Sequence, residues 1–243
     1  AFCFACLLMP IGTEARTGLV CAAILAVMMW WHTKRRMLWA ALGGVALLCS
    51  IPFLPQSFTQ RMDTISAYQG DESASTRIMV WKWTLDYVQT NPWGGGFDNY
   101  LANSFTYYTV QKTGPDDNPH YEHVRVTDRG RAFHSSYFEM LGEQGYPGLF
   151  LWLLLNIGTM FQSMRLWQRY KGTQDERFTW VAPFALALAQ GHVVYMIGSL
   201  FVGIAYQPFV FMLIALQIGA TTYTRPLRAQ EDWVPLGQKV AAA

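Results

Sequence analysis

Three residues of the chain, Arg16, Arg77 and His134, have side chains suited to chemistry and lie next to apolar sequence. Guanidinium groups are planar and permanently charged, so two arginines suit a diphosphate, which they bind in a bidentate manner. His134 stands at the predicted start of a helix, where backbone N–H groups favour an anion and the helix dipole disfavours imidazolium. The neutral imidazole is then available as a general base near neutral pH. A base beside a bound diphosphate indicates a group transferase.

Each of these residues also has a purely structural explanation. An arginine at a helix end can extend its guanidinium to the lipid headgroups, as Arg16 would do. Arg77 can be a solvated residue of an amphipathic helix, and His134 can be a cap or a core histidine. Glu139 and Glu143 follow His134 by about one and about two helical turns, so either can orient its ring, although solvation at the surface is the simpler explanation.

The other histidines and the cysteines give weaker indications. His120 and His123 lie among acidic residues in the polar segment 112–131, where Gly-Pro and Asn-Pro turns favour a solvated loop over a metal site. His192 lies in an apolar run, where a role in packing between helices explains the presence of a polar residue. All four cysteines lie in apolar stretches, so the polar loop has neither a thiol nucleophile nor a disulfide. We predict no metal and no cofactor.

Two short helices are predicted to position Arg77 and His134. The first is capped by Ser73 or Ser75 and stops at the Asn-Pro and triple-glycine sequence of residues 91–96. Its apolar positions recur at helical spacing: Ile78, Trp81, Leu85 and Val88. The second begins near His134 and ends at residues 145–148. Its candidate caps are Ser135 and Ser136, and its buried residues are Tyr137, Phe138 and Leu141.

The rest of the chain has the composition of a membrane protein. Hydrophobic residues make up 52% of the 243 residues and charged residues only 14%. A bilayer crossing takes about 20 apolar residues, and residues 1–11 are the tail of one such run, so we expect the chain to be the C-terminal piece of a longer protein. The remaining runs lie at residues 17–31, 37–54, 147–164, 178–200 and 202–223. The prediction is an all-α, polytopic bundle with about six membrane helices.

The distribution of charge predicts the orientation of these helices. Lys34, Arg35 and Arg36 carry no neighbouring acid, and a second basic cluster follows residue 164, so both clusters are predicted to be cytoplasmic. Because successive membrane helices cross in opposite directions, residues 56–146 are then predicted to lie outside the cytoplasm. This loop holds seven Lys or Arg residues and eleven Asp or Glu residues, so it is not positively charged. The predicted organisation is three membrane helices in residues 1–55, a partly helical outer loop in 56–146, three membrane helices in 147–223 and a cytoplasmic tail in 224–243.

Three motifs in this order resemble those of the O-antigen ligase and polymerase superfamily. They are Glu-Ala-Arg-Thr-Gly at residues 14–18, Ser-Thr-Arg at 75–77 leading to Asn-Pro-Trp-Gly-Gly-Gly-Phe at 91–97, and His-Ser-Ser-Tyr-Phe-Glu-Met-Leu-Gly-Glu-Gln-Gly-Tyr-Pro-Gly at 134–148. The chain is most similar to the O-glycosylation ligases associated with exosortase systems. The resemblance covers essentially the whole chain.

This resemblance implies a metal-independent, inverting glycosyltransferase of the bacterial inner membrane with its large loop in the periplasm. It implies an undecaprenyl diphosphate-linked glycan as donor and a glycan, lipid or protein as acceptor. The apolar composition predicts surrounding membrane lipids, and the net charge of +2 without a basic stripe indicates no nucleic-acid partner. His134 matches the histidine that activates the acceptor, and Arg77 and Arg16 match arginines that hold the diphosphate. Ser135 departs from the asparagine that follows this histidine in many ligases, which weakens inferences about the acceptor.

Three alternatives stay open. A polymerase would join repeat units on the same carrier, and sequence alone separates it poorly from a ligase. A transporter would need ionisable residues at the middle of the membrane, and His192 is almost the only candidate. A non-catalytic assembly subunit would tolerate replacement of both His134 and Arg77.

Overall fold

The computed structural model describes residues 16–38, 41, 44, 72–113 and 120–231, and the fold of these residues is mostly helical. The apolar run at residues 1–11 lies outside this part of the chain, as does nearly all of the run at 37–54. A two-stranded antiparallel sheet separates the second helix from the third. The elements are α1 (Arg16–His32), α2 (Glu72–Thr90), β1 (Ser104–Thr113), β2 (His120–Arg129), α3 (Ser136–Tyr170), α4 (Val181–Gly198) and α5 (Pro208–Glu231).

Two of these helices, α3 and α4, are long and apolar enough to cross a membrane. Helix α1 is also apolar but has only 17 residues. The last predicted span was placed wrongly at its start, because α5 begins at Pro208 and the residues before it form a loop. That loop exchanges hydrogen bonds with the first turn of α3. The count of six crossings stays a prediction.

Helix α2 differs from its prediction at its start and in its buried face. It is already helical at Glu72, so the predicted caps Ser73 and Ser75 lie inside it. Ile78 and Leu85 are exposed, whereas the predicted position Val88 is buried. The other buried positions are Thr76, Val80 and Thr84. These side chains are compact, which allows α2 to approach the glycine at position 142 of α3 closely.

A β-hairpin occupies much of the segment that was predicted to be an irregular loop. Strands β1 and β2 pair from Ser104 opposite Arg129 to Thr113 opposite His120. Asn103 closes the base of the hairpin, since its Nδ2 donates to the Arg131 carbonyl at 2.7 Å and its Oδ1 accepts from the Arg131 N–H at 3.0 Å. The hairpin therefore leads directly into the segment that carries His134.

Helix α3 begins at Ser136, two residues after the predicted start near His134, and is interrupted at Gly145, whose φ is 67° and ψ is −165°. Two residues later Pro147 has no N–H to donate, so carbonyl groups in the preceding turn lose their helical partners. The triple-glycine loop supplies substitutes, because the N–H groups of Gly95 and Gly96 donate to the carbonyls of Gly142 and Glu143, each at 2.9 Å. Asn99 Nδ2 also donates to the Gly142 carbonyl at 3.0 Å.

We expect Gly145→Ala to destabilise this part of the protein severely. A positive φ costs an alanine about 1–2 kcal/mol, and its methyl group would also overlap the Pro92 carbonyl. Gly158→Ala is the matched control on the same helix, because, apart from the neighbouring backbone of α3 itself, no atom of the described residues lies within 4 Å of the added methyl group. Thermal unfolding in detergent checks this prediction: a large fall in Tm is expected for the first variant and little change for the second. Equal melting temperatures would contradict the proposed contact.

The structure divides into two compact units. The first contains residues up to Leu151 together with Gly198–Ala205, and the second contains Trp152–Ile197 and the residues from Tyr206 onward. A buried apolar cluster lies in the second unit: Leu166, Tyr170, Phe178, Val181, Ala185 and Ala220. Both Arg77 and His134 belong to the first unit.

Candidate functional site

Trp81 connects helix α2 to the segment before His134. Its indole Nε1 donates to the Phe133 carbonyl at 2.8 Å, and its ring stacks on Phe138 with centroids 4.9 Å apart and planes 3° from parallel. Arg77 precedes Trp81 by about one helical turn, so the two side chains lie on the same side of α2. These contacts bring Arg77 and His134 into the same neighbourhood.

His134 occupies a strained turn between two anchored residues. Its φ is 50°, a left-handed conformation that is uncommon for a residue with a side chain and that is concentrated at functional sites. Phe133 on one side is buried against Gly142, and Ser135 and Ser136 on the other side are fully buried. As a whole residue His134 is exposed, although part of its ring is shielded from solvent. The turn thus places an exposed histidine between buried, well-anchored neighbours.

The start of α3 is held by the loop between α4 and α5. The Ser136 N–H donates to the Ser199 carbonyl at 2.8 Å, and its hydroxyl donates to the Val202 carbonyl at 2.9 Å while accepting from the Ile204 N–H at 2.9 Å. Helix α1 approaches the end of α4, where this loop begins, since Cys21 Sγ lies 3.2 Å from where a Cβ on Gly198 would be. Ser136 therefore acts as a tether rather than as a simple cap.

The two carboxylates beyond His134 also bind backbone amides of loops. Glu139 Oε2 accepts from the Ala205 N–H at 3.0 Å, and Glu143 Oε1 accepts from the Asp98 N–H at 3.1 Å. Glu143 is only 5% exposed, so the expectation of a solvated surface residue was wrong for it. Its burial follows from the docking of the triple-glycine loop on α3. Whether either carboxylate supports the function of His134 stays a prediction.

The environment of His134 favours the neutral imidazole. Partial burial of the ring lowers its pKa most, and the positive charges of Arg77 and then Arg131 lower the pKa further. Sequence reasoning missed Arg131, which the hairpin base brings near the histidine. Its guanidinium pairs with Asp128 at 2.6 Å, and the pKa of Asp128 is lowered by the hydroxyl of Tyr107 and by Arg131. Two cations thus lie near one neutral base.

Arg77 has unused hydrogen-bonding capacity. Its side chain is half-buried, and its Nε is buried without a hydrogen-bond partner among the described residues. Buried donors are normally satisfied, so an unpaired guanidinium nitrogen points to a group that binds there. An anion would satisfy this nitrogen and balance its charge. In this respect Arg77 differs from Arg131, which already has a carboxylate partner.

Arg16 is the first residue of α1. Its side chain lies outside the part of the chain that the structure describes, so the grouping of Arg77 with His134 rests on α2, the hairpin base and the start of α3. Cys21, about one turn further along α1, approaches the loop that tethers Ser136. A role for Arg16 at the same site stays a prediction.

Comparison with known proteins gave one finding. The family model described as O-antigen ligase matches residues 1–153, which are more than half of the chain and include Arg16, Arg77 and His134. No curated protein and no solved structure matches the sequence. The chain therefore belongs to the O-antigen ligase family, a family of membrane proteins associated with ligase and polymerase activity that uses a lipid-linked glycan donor and an acceptor.

Proposed function

We propose that this chain is the catalytic part of a membrane glycosyltransferase that moves a glycan from undecaprenyl diphosphate to an acceptor hydroxyl on the periplasmic side of the inner membrane. The observation that carries the proposal is the buried, unpartnered Nε of Arg77 in the neighbourhood of His134. A diphosphate would satisfy the guanidinium, and the neutral imidazole would accept a proton. On motif order alone, we also propose that the chain belongs to the branch of this family that is associated with exosortase systems.

In the proposed reaction, the acceptor hydroxyl transfers its proton to His134 as its oxygen attacks the anomeric carbon. A new carbon–oxygen bond forms, the bond from that carbon to the diphosphate breaks, and the configuration is inverted. Arg77 and Arg16 stabilise the negative charge of the departing diphosphate. No nucleotide or metal is required, because the carrier already provides a good leaving group. General-base assistance of this kind contributes about 10²- to 10⁴-fold to the rate.

A transfer assay with the full-length protein tests this proposal. The enzyme would be incubated with undecaprenyl diphosphate-linked glycan and a separate acceptor, and the products would be resolved by mass spectrometry. Glycan attached to the acceptor supports a ligase, whereas longer glycan on the same carrier supports the polymerase alternative. Absence of both products, with the donor unchanged, would refute glycosyl transfer.

The acid limb of the pH profile of kcat/KM is expected to reflect the deprotonation of His134. The base must be neutral, so kcat/KM should rise with pH through the pKa of His134, and the midpoint should lie below the usual histidine value of about 6.5 because burial and two cations lower this pKa. Arg131→Gln removes one of these cations, so the midpoint should move upward. Arg129→Gln, an exposed change on β2, is the control and should leave the midpoint in place. A profile unaffected by Arg131→Gln would contradict this electrostatic coupling.

A further inference from the structure

A cavity of about 510 Å³ lies in the second unit, between α3 and α5. It lies outside residues 1–153, the segment that matches the family model, and the proposed reaction makes no use of it. The residues that line it are Gln162, Arg165, Leu166, Gln168, Arg169 and Thr221. The cavity thus combines two cations and several polar groups with an apolar wall, which an ordinary packing defect in a helical bundle would not have.

The two arginines present their charge to the cavity without an internal counterion. Arg165 and Arg169 are one helical turn apart and exposed, and neither forms an ion pair or hydrogen bond with another described residue. Their basic neighbours differ, because Arg177 pairs with Asp175 at 2.7 Å and Lys171 lies over the Trp167 ring at 5.0 Å. Two guanidiniums with free donors suit the oxygens of a phosphate group.

A buried amide beside the cavity also has an unsatisfied group. Gln217 is 1% exposed, and its Nε2 donates to Thr221 Oγ1 at 2.9 Å and to Gln162 Oε1 at 3.3 Å. Its Oε1 is buried and has no hydrogen-bond partner among the described residues. A buried carbonyl oxygen without a donor is costly. A hydroxyl group of a bound ligand, or a water molecule bound with it, could donate a hydrogen bond to Gln217 Oε1.

We propose that this cavity binds a phosphate-bearing ligand, and specifically the headgroup of an anionic phospholipid. Arg165 and Arg169 bind the phosphate oxygens, and Thr221 and Gln162 line the polar side next to them. Leu166 provides an apolar wall against the glycerol and the start of the acyl chains. The sequence predicts that this end of α3 is cytoplasmic, where basic pockets between membrane helices bind such headgroups. The site is independent of His134 and Arg77.

Native mass spectrometry of the full-length protein tests the proposal. Protein released from phosphatidylcholine nanodiscs that contain dioleoyl phosphatidylglycerol should retain the anionic lipid. We expect Arg165→Gln with Arg169→Gln to weaken retention by about tenfold or more, because the substitutions remove both charge-assisted contacts to the phosphate oxygens. The control, Lys171→Gln with Arg177→Gln, removes the same charge from residues that do not line the cavity, and retention should change by less than about twofold.

Additional arms separate the alternatives. Binding of inorganic phosphate is measured with protein that has been stripped of lipid. Displacement of the phosphate by phosphatidylglycerol supports a lipid headgroup as the ligand. Binding of phosphate without displacement by the lipid supports the same phosphate site with a free anion as its ligand. The charge-preserving change of both arginines to lysine should give intermediate retention, since lysine lacks the bidentate geometry. Equal losses in the glutamine variants and their control, with unchanged melting temperatures, would overturn the proposal in favour of general surface attraction. Retention of neither ligand would also overturn it.

Discussion

His134→Ala is expected to reduce glycan transfer by about 10²- to 10⁴-fold, the usual contribution of a general base, while glycan linked to undecaprenyl diphosphate accumulates. The physical reason is that the acceptor hydroxyl would have to lose its proton to water, which is a weaker and less well positioned base. The measurement uses cells that lack the full-length gene and are complemented with each variant. Lipid-linked glycan and acceptor-linked glycan are then quantified at matched protein levels.

A structural role for His134 would give a different result. The left-handed turn can be kept without the imidazole by His134→Asn, because asparagine tolerates this conformation better than most residues. If His134 acts only as a turn residue, His134→Asn should retain transfer, and the catalytic assignment would be lost. His32→Ala is the control for loss of a histidine, since His32 is exposed at the end of α1, where its Nδ1 lies 2.8 Å from the Met28 carbonyl one helical turn earlier. It should transfer at the wild-type rate.

Arg77→Ala should have a comparable effect, with transfer reduced by about 10²- to 10³-fold, as for other single donors that stabilise transition-state charge. Its half-buried guanidinium has a nitrogen with no partner among the described residues, so the substitution removes a group that is available for the diphosphate. Arg77→Lys keeps the charge but loses the planar fork and should recover only part of the activity. Lys82→Ala removes an exposed charge from the same helix and should have little effect.

The Arg77 variants also provide a second, independent measurement, which is the pH dependence of kcat/KM. Since Arg77 lowers the pKa of His134, its removal should shift the acid limb of kcat/KM to higher pH, whereas Arg77→Lys should leave the limb close to its wild-type position. A residue that only supports the fold would change the amount of active enzyme without moving the limb. Wild-type transfer in both Arg77→Ala and His134→Ala would favour the assembly-subunit alternative.

The sequence predicted where α2 ends and where α3 is interrupted, because these signals are local. Asn91-Pro92 and the following glycines end a helix wherever they occur, and α2 does end at Thr90. Gly145 and Pro147 indicated the interruption of α3 for the same reason. The hairpin was not predicted although Val124 and Val126 alternate with polar residues. Gly-Pro and Asn-Pro turns occur both in irregular loops and in connections between strands, so they do not distinguish the two.

By itself, the sequence determined the helical class, the apolar helices α1, α3 and α4, and the family to which the chain belongs. These properties depend on composition, on short-range periodicity and on motifs that are contiguous in the chain. Only the tertiary structure decided which face of α2 is buried, how the triple-glycine loop satisfies carbonyls of α3, and that Arg77 lies near His134. These properties depend on contacts between residues far apart in sequence, such as the 52-residue separation of Trp81 and Phe133, and no local pattern encodes them.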